Sequence, residues 1–367
     1  MLYEFLTWLS ERSESLSWMR LFGYITFRAI LAAVTAFVMS LALGSPFIRW
    51  LKRRKATDLA WGYNLVNAQG KSGTPTMGGL LILMTVLIAV ILWCELTNRY
   101  IQILIASVLW FGSIGICDDF LKLRDRSKAG LSDKKKIALQ GLFGLLLSIV
   151  YLHPGWSPAP VEVADQLYLP FIKNPIADLG LWYAPFIIFV IVAISNSVNL
   201  ADGLDGLAIV PSFLVAAVFG AFSYVMGNTR WSEYLLFDYL SGSGEILIFC
   251  SAFIGAGIGF LWYNAYPAQI FMGDTGSLAL GGILGTIAVL IKQEFLFVIA
   301  GGVFVAEAAT VFLTKYVFVP RGRRLFFRAP LHHSLQYRGL AETKVVVRLW
   351  IVSTILALIA ATALKIR

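Results

Sequence analysis

Ten long apolar runs divide this chain, at residues 22–43, 76–94, 100–117, 137–152, 181–198, 207–227, 246–263, 277–291, 295–314 and 345–364. A helix needs about 20 predominantly apolar residues to cross the hydrocarbon core of a bilayer. The pattern therefore predicts an all-α polytopic membrane protein of about ten transmembrane helices. The runs and their short connections use up most of the chain. A single integral membrane domain over 1–367 is expected, with no separate soluble domain. Composition agrees. Of 367 residues, 58% are hydrophobic and 14% charged, where a soluble domain carries about 25% charged residues.

The polar interruptions carry the rest of the reading. Glu4, Glu11, Arg12 and Glu14 break any apolar leader near the start, so no cleavable signal is expected there. Leu2, Phe5, Leu6 and Leu9 fit one face of an interfacial helix. Cys94, Cys117 and Cys250 all fall in or at apolar runs and read as small buried hydrophobes without disulfides. Between the fourth and fifth runs lie five prolines, with Val161, Val163, Leu167 and Leu169 at alternating positions. That stretch predicts a small hairpin on the outer surface.

Net charge is +9, and its placement is informative. Three alternate connections, Arg49–Lys71, Lys122–Lys136 and Lys315–Arg348, hold more than two thirds of the 30 basic residues. The positive-inside rule assigns them to the cytoplasm. With an even number of spans, both termini then face outward. These cations also suit contact with anionic bilayer lipid or an anionic substrate. No internal repeat is visible, which disfavours the common transporter designs. No nucleic-acid partner is expected.

Five aspartates collect at the predicted cytoplasmic depth from three distant segments. Asp118 and Asp119 close the third span. Asn199, Asp202 and Asp205 follow the fifth at intervals of three, which on a helix would form one polar ridge. Asp274 opens the eighth span between Gly273 and Gly276, either as an N-cap or at a site for phosphate or metal-phosphate, with Asn264 close by in sequence. Such a cluster of acids repels itself, and a divalent cation is the economical compensation. His332 and His333 stand before the last span and suit a proton relay or phosphate contact. Glu307 lies inside the ninth span and must find a partner that the sequence does not name.

The segments Lys71-Ser-Gly-Thr-Pro-Thr-Met-Gly-Gly79, Asp118-Asp119, Asn196-Ser-Val-Asn-Leu-Ala-Asp-Gly-Leu-Asp-Gly-Leu-Ala208, Tyr266-Pro-Ala-Gln-Ile-Phe-Met-Gly-Asp-Thr-Gly-Ser-Leu278 and Pro330-Leu-His-His333 occur in this order. Together they resemble the polyprenyl-phosphate N-acetylhexosamine-1-phosphate transferases. Within that superfamily, the Gly-Thr-Pro-Thr-Met-Gly-Gly stretch is similar to the phospho-N-acetylmuramoyl-pentapeptide transferase branch. The likeness runs from about Tyr24 to the C-terminus. Two positions depart from the family pattern. Ser334 stands where a third consecutive histidine is usual, and Ala201 where Asn-Leu-Thr-Asp has its threonine.

The resemblance implies Mg²⁺-dependent transfer of a phospho-sugar from UDP-N-acetylmuramoyl-pentapeptide to undecaprenyl phosphate, giving lipid I and UMP. It implies Asp274 as the main metal ligand with Asp118 or Asp119, and Asp118 alternatively as base. Asn199, Asp202 and Asp205 would contact the nucleotide and the metal shell. Lys71, His332 and His333 would meet the diphosphate or sugar phosphate, with Thr74 and Asn264 also in the substrate-binding set. Direct attack by the lipid phosphate competes with a covalent aspartyl-phosphate scheme. A sister enzyme using UDP-N-acetylglucosamine, an ion-coupled transporter and a non-catalytic scaffold are the rival readings. Gly255-Ala-Gly-Ile-Gly259 allows close packing within or between subunits, a homodimer included.

Overall fold

The computed structural model describes residues 2–12, 14–54, 56, 73–125, 130–322 and 328–366. Helices dominate it: α1 (Leu2–Arg12), α2 (Ile25–Arg53), α3 (Gly79–Trp93), α4 (Arg99–Asp125), α5 (Asp133–Leu152), α6 (Val161–Ala164), α7 (Tyr183–Ala201), α8 (Ile209–Met226), α9 (Thr229–Leu235), α10 (Glu245–Asn264), α11 (Gly273–Leu290), α12 (Leu296–Ala300), α13 (Gly302–Phe312), α14 (Leu331–Tyr337) and α15 (Glu342–Thr362). Among the described residues, nine helical segments are long and apolar enough to cross a membrane, and α3 is a shorter apolar helix. Each of the ten expected runs thus coincides with a helix. The chain is an all-α, multi-pass membrane protein.

A soluble protein would bury the faces that this one exposes. Ile351, Val352, Ile355 and Leu358 on α15 are exposed, as are Ile30, Val34 and Val38 on α2. Apolar stripes of this extent belong against lipid chains, where exposure carries no penalty. The interior is organised around α11, whose residues from Thr275 to Leu290 are all buried. It packs along α4 and α7, while α10 packs along α2 and α8. Gly255 and Gly259 serve the second of these contacts. A Cβ at Gly255 would fall 2.0 Å from the Ala33 carbonyl oxygen, and one at Gly259 would fall 2.6 Å from the Ser40 side chain. These glycines bring α2 and α10 together within one chain.

Several boundaries differ from expectation. The ninth span is not one straight helix. It bends at Gly301 and Gly302, where two residues of poor helix propensity meet. Hydrogen bonds from Gly301 N–H to Phe297 and from Val305 N–H to Gly301 carry the ladder across the bend. Beyond Phe312 the turn widens into a π-helical segment, Leu313–Phe318. The outer hairpin is smaller than the alternation predicts. Val161 and Val163 lie in the helical turn α6, begun by Pro160, and the sheet is reduced to β1 (Gln166–Leu167) antiparallel to β2 (Ala177–Asp178). Cys94 and Cys250 are buried, but Cys117 is exposed on the outside of α4; all three thiols are free.

The two ends of the bundle have different chemistry. At one end, Arg28 on α2 pairs with Glu245 on α10 at 2.5 Å and donates to the Trp93 carbonyl. The same end holds buried Lys292, which donates to the Ala164 carbonyl at 3.0 Å, with its Nζ 3.6 Å from the centre of the Tyr183 ring. Tyr183 donates in turn to Glu294. His153 also lies here, stacked on Trp156 with its Nδ1 accepting the Gly155 N–H. The opposite end gathers the acids.

Candidate functional site

Asp118 and Asp119 lie well inside α4, which continues for six more residues to Asp125. They do not close the helix, contrary to expectation, because the charged turn after Phe120 keeps helical geometry beyond the apolar run. The N-terminus of α11 abuts them. This approach requires Gly115, where a Cβ would lie 2.4 Å from the Asp274 carbonyl oxygen. A helix start leaves backbone N–H groups without intrahelical partners. Here Asp119 supplies them from another helix: its Oδ1 accepts the Asp274 N–H at 3.1 Å, and its Oδ2 accepts the Thr275 N–H at 2.9 Å and hydroxyl at 2.7 Å. Asp274 is therefore not the cap of α11. Its side chain is free to face the other two acids.

One ligand oxygen from each of Asp118, Asp119 and Asp274 lies within 4.8 Å of the others. Two lysines balance the group. Lys122 Nζ is 2.7 Å from Asp118 Oδ2 and 3.1 Å from Asp274 Oδ2. Lys136 Nζ is 3.0 Å from Asp118 Oδ1 and 2.5 Å from Asp274 Oδ2. The Leu131 N–H also donates to Asp118. Sequence reasoning counted both lysines only among the loop cations. The signals for them were local. Lys122 sits one helical turn after Asp118, and Lys136 lies in the first turn of α5.

Three carboxylates against two ammonium groups leave about one negative charge. Hard oxygen donors from separate helices are the ligand type that Mg²⁺ or Ca²⁺ takes. The residues present fit a divalent cation held by Asp118, Asp119 and Asp274.

Asn199, Asp202 and Asp205 do not share a helical ridge. α7 stops at Ala201, Asp202 is its C-cap, and Gly203 and Gly206 carry the chain through a turn. Asn199 still reaches the centre, donating to Asp274 Oδ1 at 3.2 Å and to Ser277 Oγ at 2.8 Å. Burial and the charges of Asp274, Asp119 and Asp205 push the Asp202 carboxyl up to about 8. Asp205 accepts the Ala268 N–H, and its own N–H donates to Glu342. Asn264 spends both ends of its amide on backbone, accepting from Gly206 N–H and donating to the Ile270 carbonyl. It holds the turn rather than facing the acids. Thr74 is half-buried in the extended stretch before α3. Lys71 lies outside the described residues.

His332 is buried on α14, with its Nδ1 3.2 Å from Glu307 Oε2. Glu307 on α13 thereby has the partner that the sequence did not name. His333 is half-buried, its ring centre 4.2 Å from that of His332 and its Nδ1 3.2 Å from Gln336 Oε1. Burial, then the neighbouring His332, push the His333 imidazole below its ordinary value.

Comparison with known proteins agrees with this arrangement. Residues 100–292 match the model of glycosyl transferase family 4, and residues 71–83 match phospho-N-acetylmuramoyl-pentapeptide-transferase signature 1. The chain is 44% identical to the phospho-N-acetylmuramoyl-pentapeptide-transferase of Desulfovibrio desulfuricans, over 99% of this chain and 100% of that protein. The protein of the same name from Desulfotalea psychrophila is 48% identical over 94% of this chain and 95% of its own length. That from Solidesulfovibrio magneticus is 45% identical over 95% and 96%. The chain belongs to the phospho-N-acetylmuramoyl-pentapeptide-transferase family. It is a membrane-bound phospho-sugar transferase, and the segment matched by the broader family model spans α4 to Lys292, from Asp118 through Asp274.

Proposed function

We propose that the chain transfers phospho-N-acetylmuramoyl-pentapeptide from UDP-N-acetylmuramoyl-pentapeptide to undecaprenyl phosphate, forming lipid I and releasing UMP. The observation that carries this reading is the convergence of Asp118, Asp119 and Asp274 with Lys122 and Lys136 at one end of the bundle. That end also receives the strongly basic connections, so we assign it to the cytoplasm, with both termini outside. A cytosolic nucleotide donor and a membrane-held acceptor can meet only at such a surface. The domain is the whole chain, 1–367.

Two anions must approach one phosphorus atom. Unit charges about 4 Å apart repel by roughly 4 kcal/mol at an effective dielectric of 20. Mg²⁺ on Asp274, Asp118 and Asp119 would offset that repulsion and stabilise the leaving phosphate. Lys122 and Lys136 add fixed positive charge beside the same carboxylates, and Lys71 adds more in the donor's diphosphate site. Asn199 holds Asp274 in place, while Asp202 and Asp205 line the nucleotide side with Thr74, and Asn264 supports them by holding the turn. An oxygen of the lipid phosphate attacks the phosphorus bearing the sugar. The bond from that phosphorus to the bridging oxygen breaks, and UMP departs with the electron pair. A phosphate monoester loses its second proton near pH 6, so the attack needs little help from a base. His332 and His333 contact the phosphates.

The test is UMP release by the purified protein in detergent, with undecaprenyl phosphate, Mg²⁺ and either UDP-N-acetylmuramoyl-pentapeptide or UDP-N-acetylglucosamine, against an EDTA control. Release with the muramoyl donor alone, abolished by EDTA, is expected. Release with the other donor alone moves the chain to the sister specificity. Retention of configuration at phosphorus would replace direct attack with an aspartyl-phosphate intermediate.

A further inference from the structure

The helix α7 ends at Ala201, and the turn after it must satisfy its backbone groups without a helical ladder. Two of its bonds are local. Asp202 N–H donates to the Asn199 carbonyl, and Leu207 N–H to the Leu204 carbonyl. Three more come from distant side chains. Asn264 on α10 accepts the Gly206 N–H. The other two belong to α15, the last helix. Glu342 Oε1 accepts the Asp205 N–H at 3.2 Å, and Trp350 Nε1 donates to the Gly206 carbonyl at 3.1 Å.

Packing repeats this attachment. Leu204 and Leu207 of the turn form an apolar cluster separate from the main core, with Val345, Val346 and Leu349 of α15 and Val303 of α13. Trp350 packs against that cluster. Gly206 has a φ of +75°, and a Cβ there would lie 3.3 Å from Trp350 Cζ2, so the indole closes directly over the turn. Glu342 is buried in the first turn of α15, where the helix dipole favours an acid. One of its oxygens nonetheless reaches across to a residue 137 positions earlier.

The turn lies beside the acid cluster. Asn199, in the last turn of α7, donates to Asp274 Oδ1 at 3.2 Å. Three residues on, Asp202 is close enough to Asp274 and Asp119 for their charges to raise its carboxyl. Among the described residues, α15 adds no carboxylate to the group of Asp118, Asp119 and Asp274. What it holds is the backbone that carries Asp202 and Asp205.

We propose that Glu342 and Trp350 are positioning residues for the nucleotide donor. They lock the turn from Asp202 to Gly206, and through it the last helix sets donor affinity. This rests on the reading that the turn lines the nucleotide side of the site.

The experiment uses the full chain in detergent with Mg²⁺, as wild type, Glu342→Ala, Glu342→Gln, Trp350→Phe and Asp202→Asn. Calorimetry reads UMP binding. UMP release reads kcat and the KM for each of UDP-N-acetylmuramoyl-pentapeptide and undecaprenyl phosphate. Glu342→Ala removes the acceptor, and Trp350→Phe removes the N–H while keeping a ring. Each is expected to weaken UMP binding and raise donor KM about tenfold, with kcat and acceptor KM within about threefold of wild type. Glu342→Gln retains an oxygen acceptor, so its UMP affinity should stay within about threefold of wild type. UMP affinity as low in Glu342→Gln as in Glu342→Ala would overturn the acceptor role of Glu342. A lower melting temperature with wild-type UMP affinity in Glu342→Ala and Trp350→Phe would make both contacts merely structural and overturn the proposal. So would a fall in kcat with donor KM retained. Should Glu342→Ala not fold, Trp350→Phe decides alone.

Asp202→Asn separates this proposal from the reading beneath it. Weaker UMP binding in Asp202→Asn, beside wild-type binding in the two α15 variants, overturns the proposal and leaves the nucleotide reading standing. Wild-type binding in all three overturns both. If the wild type binds UMP yet releases none with either donor, the proposed reaction fails, while UMP binding by the α15 variants still decides the role of Glu342 and Trp350.

Discussion

Asp119 and Thr275 are joined by two hydrogen bonds across 156 residues of chain, with Asp119 Oδ2 accepting both the N–H at 2.9 Å and the hydroxyl at 2.7 Å. The carboxylate caps a helix to which it does not belong. The central helix α11 is thereby tied to α4 at the depth of the acid cluster, and the position of Asp274 depends on the link. Thr275→Val keeps the shape and removes one charge-assisted bond, worth about 1.5–3 kcal/mol. A loss of about that size in unfolding free energy is expected, together with a fall in turnover as Asp274 gains freedom. Denaturant melts in detergent and the UMP assay check it. Full turnover in a clearly destabilised protein would separate the cap from the site.

Asp274 itself bears two lysine contacts and the Asn199 amide. Asp274→Asn retains the shape, and the helix start survives because Asp119 does the capping. Turnover should fall by several orders of magnitude while the melting temperature changes little. Half of wild-type turnover would remove Asp274 from the metal set.

Lys136 occupies Asp118 and Asp274, two of the carboxylates that would hold a metal ion. Lys136→Gln makes the cluster more negative by one charge. A unit charge about 4 Å away is worth up to roughly 4 kcal/mol at an effective dielectric of 20, so apparent Mg²⁺ affinity should rise about tenfold or more. Turnover should nevertheless fall if, as the proposed reaction has it, the same ammonium adds positive charge beside the donor phosphates. Thermal-shift titration with Mg²⁺ reads the first effect and UMP release the second. Unchanged or weaker Mg²⁺ binding would contradict the charge balance described here.

The ten helices were legible because a bilayer demands length and apolarity, which a sequence displays directly. Asp118, Asp119 and Asp274 were legible because acids at the edges of apolar runs are costly without a purpose. What they touch was not. Nothing local marks Asp119 as the cap of a distant helix, since capping was expected from α11's own first residues. Lys122 and Lys136 looked like topology signals because only one of their two partners, Asp118, is near in sequence, while Asp274 lies more than 130 residues away. The spacing of Asn199, Asp202 and Asp205 suggested a helix face, but Gly203 and Gly206 follow Ala201 and end the helix before the second residue. Glu307 announced that it needed a partner, and the fold supplies it in His332.

Lys292 offers a test of the opposite end of the bundle. It is fully buried, with its Nζ on the Ala164 carbonyl and over the Tyr183 ring. Burial pulls its pKa from 10.5 down to about 8, against the opposing charges of Glu294, Asp165 and Asp238. Because the folded value lies below the unfolded one, the unfolded chain holds more protons between about pH 8 and 10.5. Unfolding free energy therefore rises with pH across that window, and the penalty of the buried charge is fully present below it. A depression of this size corresponds to roughly 3 kcal/mol. Lys292→Met removes this dependence while other alkaline titrations stay common to both proteins. The difference in unfolding free energy between wild type and variant should thus move by roughly 3 kcal/mol in favour of the wild type from pH 7.5 to 10.5. Denaturant melts across that range measure it, and a difference that stays flat would mean that Lys292 keeps an ordinary ammonium in the folded protein.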